Sequence, residues 1–444
     1  MKMENKFESA FSDIKQVLIK EGFKKTQNTH LKGVAQESFL TRSGNSSFES
    51  DMVFLESNPY QLNTIGDDNI NEDNISELMA LYFGSREFIH RGIGTHPDFN
   101  EISNEDDKVL YGYTSTLFID IIGSTKLSFE INNPLIVFRI KNYILRYSIA
   151  IIQAFGGVVH RIMGDAVLAF FRSNENEGDK EIDSAIDAIN SASYIIKFMK
   201  SKVINGLSDY INTEELGLRI GIEHGDKNSV LWSSYGINNT REITATSFYV
   251  DVAAKLQQAT EKNTILIGQN IKRKIGLDNT QSPHYNKAFL KFDQKSKYRA
   301  FSLSQKYIDS LPERFVIDVN EIEIKAYIGD VQYYSFSKSI AIGEKITFKA
   351  RIRSQPNQKN LFFVFTRINH GTASWFAKDK GETKSPSKIP AIEKENGIYV
   401  AEHTEDAMYK GLHSMKVTIV KKDSFNKETE LPFISHAHFY VFIR

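Results

Sequence analysis

Two apolar runs, "VVHRIM" at residues 158–163 and "AVLAFF" at residues 166–171, are separated only by Gly164 and Asp165. A strand can reverse over two residues only in a tight turn with positive φ, which glycine adopts without steric cost. The pattern predicts a β-hairpin with Asp165 at its tip. Upstream, "STLFID" at residues 115–120 reads as a buried strand ending on a carboxylate, Asp120. It drops into Gly123, Ser124 and Thr125, whose backbone N–H groups at a helix start suit phosphate oxygens. Neighbouring strands of one sheet would bring Asp120 and Asp165 close. Two like charges held together are costly unless a cation lies between them. Hard oxygen donors without histidine or cysteine favour Mg²⁺ or Mn²⁺. Two such ions can activate a hydroxyl and stabilise the oxygen that leaves phosphorus.

Helix and strand signals alternate around this hairpin. "NPLIVFRIKNYILRYSIAIIQAFGG" predicts a helix opening at Pro134, with Val137, Ile140, Ile144, Ile151 and Phe155 on one face and Gly156 and Gly157 as its stop. "EIDSAIDAINSASYIIKFMKSK" reads as another helix and "LGLRIGIEHGD" as a strand. "REITATSFYVDVAAKLQQAT" reads as a turn running into a helix, and "NTILIGQNI" as a strand. Residues 1–105 carry two helical patterns, "FESAFSDIKQVLIKEGF" and "DDNINEDNISELMALYFGS". Residues 306–319 are expected to be a linker. From 320 to 444 several short β-rich runs with turn residues between them predict a β-sandwich. The expected class is α+β: a helical N-terminal region (1–105), a mixed catalytic unit (106–305) and a C-terminal sandwich.

At 444 residues, 41% of them hydrophobic, the chain can build two or three packed domains. Lys plus Arg and Asp plus Glu both total 55, so no net charge favours nucleic acid or an anionic membrane. The absence of cysteine excludes disulfides, thiolate metal sites and cysteine nucleophiles, and fits a reducing cytoplasm. No run approaches the roughly 18 apolar residues of a spanning helix, and "MKMENKFESAFSDIKQ" has no apolar signal core. The expectation is a cytoplasmic protein.

"FIDIIGST" followed by "GGVVHRIMGDAVLAFF", "RIGIEHGD" and "YVDVAAKLQ" resembles, in that order, the core of class III nucleotide cyclases over about 200 residues. The resemblance implies a ferredoxin-like catalytic core whose active sites form at a homodimer interface. It makes Asp120 and Asp165 ligands to two Mg²⁺ or Mn²⁺ ions, with the Ile121 backbone carbonyl contributing. Purine cyclases of this family usually carry lysine where this chain has Arg161, and an acidic or cysteine base reader near Thr244. Their later asparagine and arginine are here Asp251 and Lys255, four residues apart and so on one helix face. Lysine there can neutralise charge on the pentacovalent phosphate without arginine's bidentate fork. Lys291 or Lys295 is expected near the triphosphate.

Taken whole, the chain resembles the bacterial Pycsar antiphage pyrimidine cyclases, and its tail an AGS-C-type sensor domain. That resemblance implies UTP or CTP as substrate, a 3′,5′-cyclic pyrimidine monophosphate and pyrophosphate as products, and a separate effector that the product activates. Arginine offers only donors, which suits uracil O4 or O2 and cytosine O2 or N3 alike. Phe248 or Tyr249 could fill the space that a smaller base leaves. An adenylyl cyclase, or an inactive cyclase-like nucleotide sensor, are the competing expectations. In the tail, Trp375 and the stretch from Glu402 to His413 form a candidate binding face.

Overall fold

The computed structural model describes residues 14–20, 22–23, 72–84, 92–104 and, from 108 onward, all but short internal stretches (174–178, 238–239, 286–289, 292–296, 313–320, 356–357, 396, 424, 426 and 432–435). The elements used below are α1 (Glu72–Phe83), β1 (Val109–Tyr111), β2 (Thr114–Ile122), α2 (Ser124–Ile131), α3 (Pro134–Ala154), β3 (Gly157–Met163), β4 (Ala166–Phe171), α4 (Lys180–Phe198), β5 (Gly217–Gly225), β6 (Leu231–Ile237), β7 (Thr240–Thr246), α5 (Phe248–Ala259), β8 (Thr264–Gly268), α6 (Gln269–Ile275), β9 (Ala300–Ser302) and α7 (Gln305–Ser310).

The six-stranded central sheet has the order β9-β8-β5-β2-β4-β3, antiparallel throughout except for the β5–β8 pair. This mostly antiparallel sheet with helices packed against it fits the expected α+β class. Side-chain alternation sorts its two faces. Leu117, Ile119 and Ile121 of β2, Leu218, Ile220 and Ile222 of β5, and Ile265 and Ile267 of β8 share a core with α3 and α4. Phe118 and Leu168 turn the other way, into a second cluster with Trp232 and Ile243. Asp120 follows Phe118 by two residues and therefore lies on this second face.

The helix starts follow from capping chemistry. Asn133 accepts from the Leu135 and Ile136 N–H groups ahead of Pro134, and Asp179 does the same for Glu181 and Ile182. Residues 14–20 and α1 bury Ile14, Leu18, Met79 and Phe83 in the α3/α4 core, so these parts of the N-terminal region share the core beneath the central sheet. Phe7 and Phe11 of the first predicted helix lie outside the described residues. The linker expected at 306–319 is corrected at its start. α7 forms there and buries Tyr307 and Ile308 together with its C-cap Leu311, which follows them by four and three residues and so shares their face.

From residue 321 the chain forms two antiparallel sheets around a separate core that includes Phe348, Phe363, Phe365, Tyr399 and Val417. This is a sandwich, as expected. It joins the first unit through Phe336, Leu412 and Phe442, which enter the α3/α4 core, and through Asp183, whose carboxylate accepts from the Ser339 N–H at 2.7 Å and hydroxyl at 2.8 Å. Asp278, just past α6, pairs with His370 of the sandwich at 3.2 Å.

His413, buried in the sandwich, sets an acid limit. Its Nε2 faces the Tyr409 carbonyl at 2.6 Å and its Nδ1 lies 3.2 Å from the His370 N–H, which fixes the neutral ring with Nδ1 accepting. Burial pushes its pKa down to about 4. A histidine depressed in the folded state contributes stability above its unfolded pKa of about 6.5 and loses it as pH falls from there toward about 4, on the order of 3 kcal/mol in full. Melting curves at pH 7 and pH 4.5 should therefore diverge more for the wild type than for His413→Asn. Equal acid sensitivity in the two proteins would remove His413 from the account.

Candidate active site

β2 and β4 pair so that Asp120 lies opposite Ala166, the residue after Asp165. The two-residue turn forms as expected, with Gly164 at φ 66°. The Ile121 N–H donates to the Asp165 carbonyl at 3.3 Å, so the strand end and the hairpin tip touch. Both carboxylates are partly open to solvent, 18% exposed for Asp120 and 26% for Asp165. Each faces a cation the sequence reading did not assign. Arg219 is the register partner of Asp120 on β5 and ion-pairs with it. Lys141 of α3 reaches Asp165 at 3.4 Å. Gln257 of α5 donates to Asp120 at 3.3 Å.

Asp120, Asp165 and the Ile121 carbonyl, brought to one edge of the sheet by this pairing, are hard-oxygen donors of the kind Mg²⁺ or Mn²⁺ takes. Here Arg219 and Lys141 balance the charge that such ions would otherwise balance. Beyond β2, Gly123 caps α2 at φ 81°, and a Cβ there would come within 2.8 Å of the Glu215 carbonyl carbon. Glycine is therefore required for the bend. Ser124 is buried and Thr125 exposed.

α5 lies across β5 on the same face. Ser247 caps it, its hydroxyl accepting from the Val250 N–H at 3.1 Å. Asp251 and Lys255 project from its exposed side, while Val252, Ala253 and Leu256 are buried. Phe248 stacks edge-on against Tyr249 and Tyr298 at the start of this helix.

Residues 240–246, read from the sequence as a turn, form strand β7, paired with β6 in a hairpin. Ile243 and Ala245 face inward and Glu242 and Thr244 outward, the alternation of a half-buried strand. Glu242 receives Arg161 through both Nε and Nη2, and His160 lies against the same carboxylate. Sequence reasoning missed Glu242 entirely. Lys295 lies outside the described residues, as does the side chain of Lys291.

A second group lies at the opposite end of β2 and β5. Glu181, His224 and Asp226 place donor atoms within 4.8 Å of one another. His224 is fixed through Nδ1 by the Ser115 hydroxyl at 2.9 Å. Burial pulls the His224 pKa down, but Asp226 and Glu181 more than offset this and leave it raised. The histidine in turn lowers both carboxylates. This donor set could hold a cation, but the Lys274 ammonium already bridges Glu181 and Asp226, 2.8 Å from the latter.

No known protein family's profile matches the chain. A cytidylate cyclase of Escherichia coli is 38% identical over 366 residues, covering 77% of each protein. A cytidylate cyclase of Staphylococcus aureus is 35% identical over 248 residues, 56% of this chain and 53% of that one. The solved structure of the adenylyl cyclase CyaB of Pseudomonas aeruginosa overlays on 45% of this chain and 96% of that one, with a TM-score of 0.38 and 21% identity. Among the described residues no helix is long and apolar enough to cross a membrane.

Proposed function

This chain belongs to the cytidylate cyclase family, and on that premise we propose that it joins the ribose 3′-oxygen of CTP to the α-phosphorus, releasing 3′,5′-cyclic CMP and pyrophosphate. The observation that carries the reading is the 38% identity to a cytidylate cyclase across 77% of the chain. The side-by-side placement of Asp120 and Asp165 supports it independently, because a nucleotide cyclase needs a carboxylate pair at the end of neighbouring strands.

In this reading Asp120, Asp165 and the Ile121 carbonyl hold the divalent ions, and Arg219 and Lys141 give way as they bind. Bound there, the ions would lower the pKa of the 3′-hydroxyl and neutralise the triphosphate. The N–H groups of Gly123, Ser124 and Thr125 donate to phosphate oxygens. Lys255 neutralises charge that develops on the α-phosphate, and Asp251 orients the nucleotide from the same helix face. Arg161 and Thr244 face the base. Lys295 contacts the triphosphate.

The protein acts as a homodimer, with Asp120 and Asp165 from one subunit and Arg161 and Lys255 from the other. Phe129 (76%) and Phe138 (61%), on the adjoining helices α2 and α3, are exposed apolar side chains that a second copy would cover. The catalytic unit spans 106–305 and the sandwich 320–444 acts as a sensor. The product signals in the cytoplasm to a separate cyclic-nucleotide-activated effector of antiphage defence.

Incubating the purified protein with ATP, GTP, CTP and UTP separately in Mn²⁺, and identifying products by mass, tests this reading. Cyclic CMP from CTP is expected. Cyclic AMP would replace it with an adenylyl cyclase. Nucleotide binding without product from any of the four would replace it with an inactive sensor.

A further inference from the structure

β3 and β4 lose register between Val159 and Arg161. The irregularity leaves His160 as an extra residue, a β-bulge. In a regular strand consecutive side chains point to opposite faces. The bulge lifts that restriction, so His160 and Arg161 both turn toward Glu242 on β7. The buried histidine is anchored on its far side, with Nδ1 3.0 Å from the Gly94 carbonyl. Nδ1–H donates to the Gly94 carbonyl, and Nε2 lies against the Glu242 carboxylate, where it carries a proton only in the imidazolium form that burial disfavours. The buried ring thus packs beneath Glu242 without donating to it. The pair of Glu242 with Arg161 stays open above: the arginine side chain is 42% exposed and the carboxylate 35%.

An ion pair built only for stability gains little from such exposure. A bulge that aims two adjacent side chains at one carboxylate is an expensive way to make one. The pair presents one acceptor and the arginine's remaining N–H donors, with Arg161 on the hairpin that carries Asp165 at its tip and Glu242 on β7. A cytosine edge offers a donor at the 4-amino group, then acceptors at N3 and O2. Uracil offers an acceptor at O4, a donor at N3 and an acceptor at O2.

We propose that Glu242 is the specificity determinant of this site, accepting from the 4-amino group of cytosine while Arg161 donates to N3 and O2. The inference rests on the cyclase reading above. Cytosine satisfies all three positions in one seat. Uracil in that seat sets its O4 against the Glu242 carboxylate and its N3–H against arginine donors, so it binds only if the ring shifts. A site built to hydrogen-bond a substrate group rejects the analogue lacking it far more strongly than shape alone does. His160 is a positioning residue in this scheme and touches no substrate.

The test is the ratio of kcat/KM for CTP over UTP in the wild-type protein, Glu242→Gln and Glu242→Asp, each checked by its melting curve. Glutamine presents a donor beside its acceptor and can meet O4. Glu242→Gln is expected to lower the ratio at least tenfold, largely by raising KM for CTP. Glu242→Asp keeps the carboxylate and is expected to retain the CTP preference at a reduced rate. A carboxylate that merely props up Arg161 would lower both substrates by the same factor, and an unchanged ratio in Glu242→Gln overturns the proposal. If Glu242→Gln does not fold, loss of the preference in Glu242→Asp overturns it instead. A wild-type protein that cyclises no triphosphate strikes the cyclase reading itself, whereas a working cyclase with an unmoved ratio strikes only Glu242.

Discussion

Asp120→Asn and Asp165→Asn should each lower cyclic nucleotide formation by about 10³-fold or more while leaving the fold in place. Asparagine keeps the shape and can still accept from Arg219, Gln257 or Lys141. The lost charge pairs are partly solvated, so the stability cost is about 1 kcal/mol or less. The two effects therefore separate by measurement: a rate near zero beside a melting temperature within a few degrees of the wild type. Extra Mn²⁺ should restore little, because the charge that would hold it is gone. Near-normal cyclisation by Asp165→Asn would show that the hairpin tip holds no ion.

Gly221→Ala should lower both stability and activity. Gly221 lies mid-strand in β5 on the face that α5 covers. A Cβ there would run into the backbone of α5 at Ala253 O and Gln257 N, well inside van der Waals contact. Backbone cannot swing aside as a long side chain can. Either α5 lifts off the sheet or β5 bends, at a cost of about 3 kcal/mol, near the upper end for overpacking. That corresponds to roughly 10 °C in melting temperature for a unit of this size. Activity should fall with it, because α5 carries Asp251, Lys255 and Gln257. Calorimetry and a cyclase assay on the same preparation check both. A variant with unchanged melting would show that the helix packs less tightly on β5 than this geometry requires.

The parts of the site that could be read from the sequence are those encoded locally. The Gly164–Asp165 turn is fixed by two apolar runs and one glycine. Asp120 is marked as the one carboxylate in an apolar run, although β2 continues two residues past the end read from the sequence, to Ile122. The capped helices announce themselves through Asn133 and Asp179. What the sequence hid depends on pairing between distant segments. Arg219 sits within "RIGIEHGD", but only the β2–β5 register sets it opposite Asp120. Lys141 faces Asp165 from a helix whose pattern marks only its apolar side. Glu242 was lost because "REITAT" is polar enough to read as a turn, and because its partner is aimed by a bulge with no sequence signature. Trp375, read as part of a candidate binding face, stands 60% exposed on a short helix of six residues (Gly371–Phe376).

Domain organisation shows the same division. The β-rich tail was evident from its short runs. That residues 14–20, α1 and α7 would share one core with α3 and α4 was not, because an amphipathic face does not say what it packs against. The Glu181–His224–Asp226 group makes a related point. It has the composition of a metal site, and only its place at the far end of the sheet, with Lys274 already between the carboxylates, separates it from the pair at Asp120.

The most direct test of the central claim is a time course of CTP turnover by the wild-type protein in which 3′,5′-cyclic CMP and pyrophosphate are quantified together. An intramolecular attack of the 3′-hydroxyl on the α-phosphorus predicts that both appear in equal amounts at every time point. Pyrophosphate accompanied by CMP, or inorganic phosphate accompanied by CDP, would mean that water is the nucleophile and that the carboxylate pair serves hydrolysis rather than cyclisation.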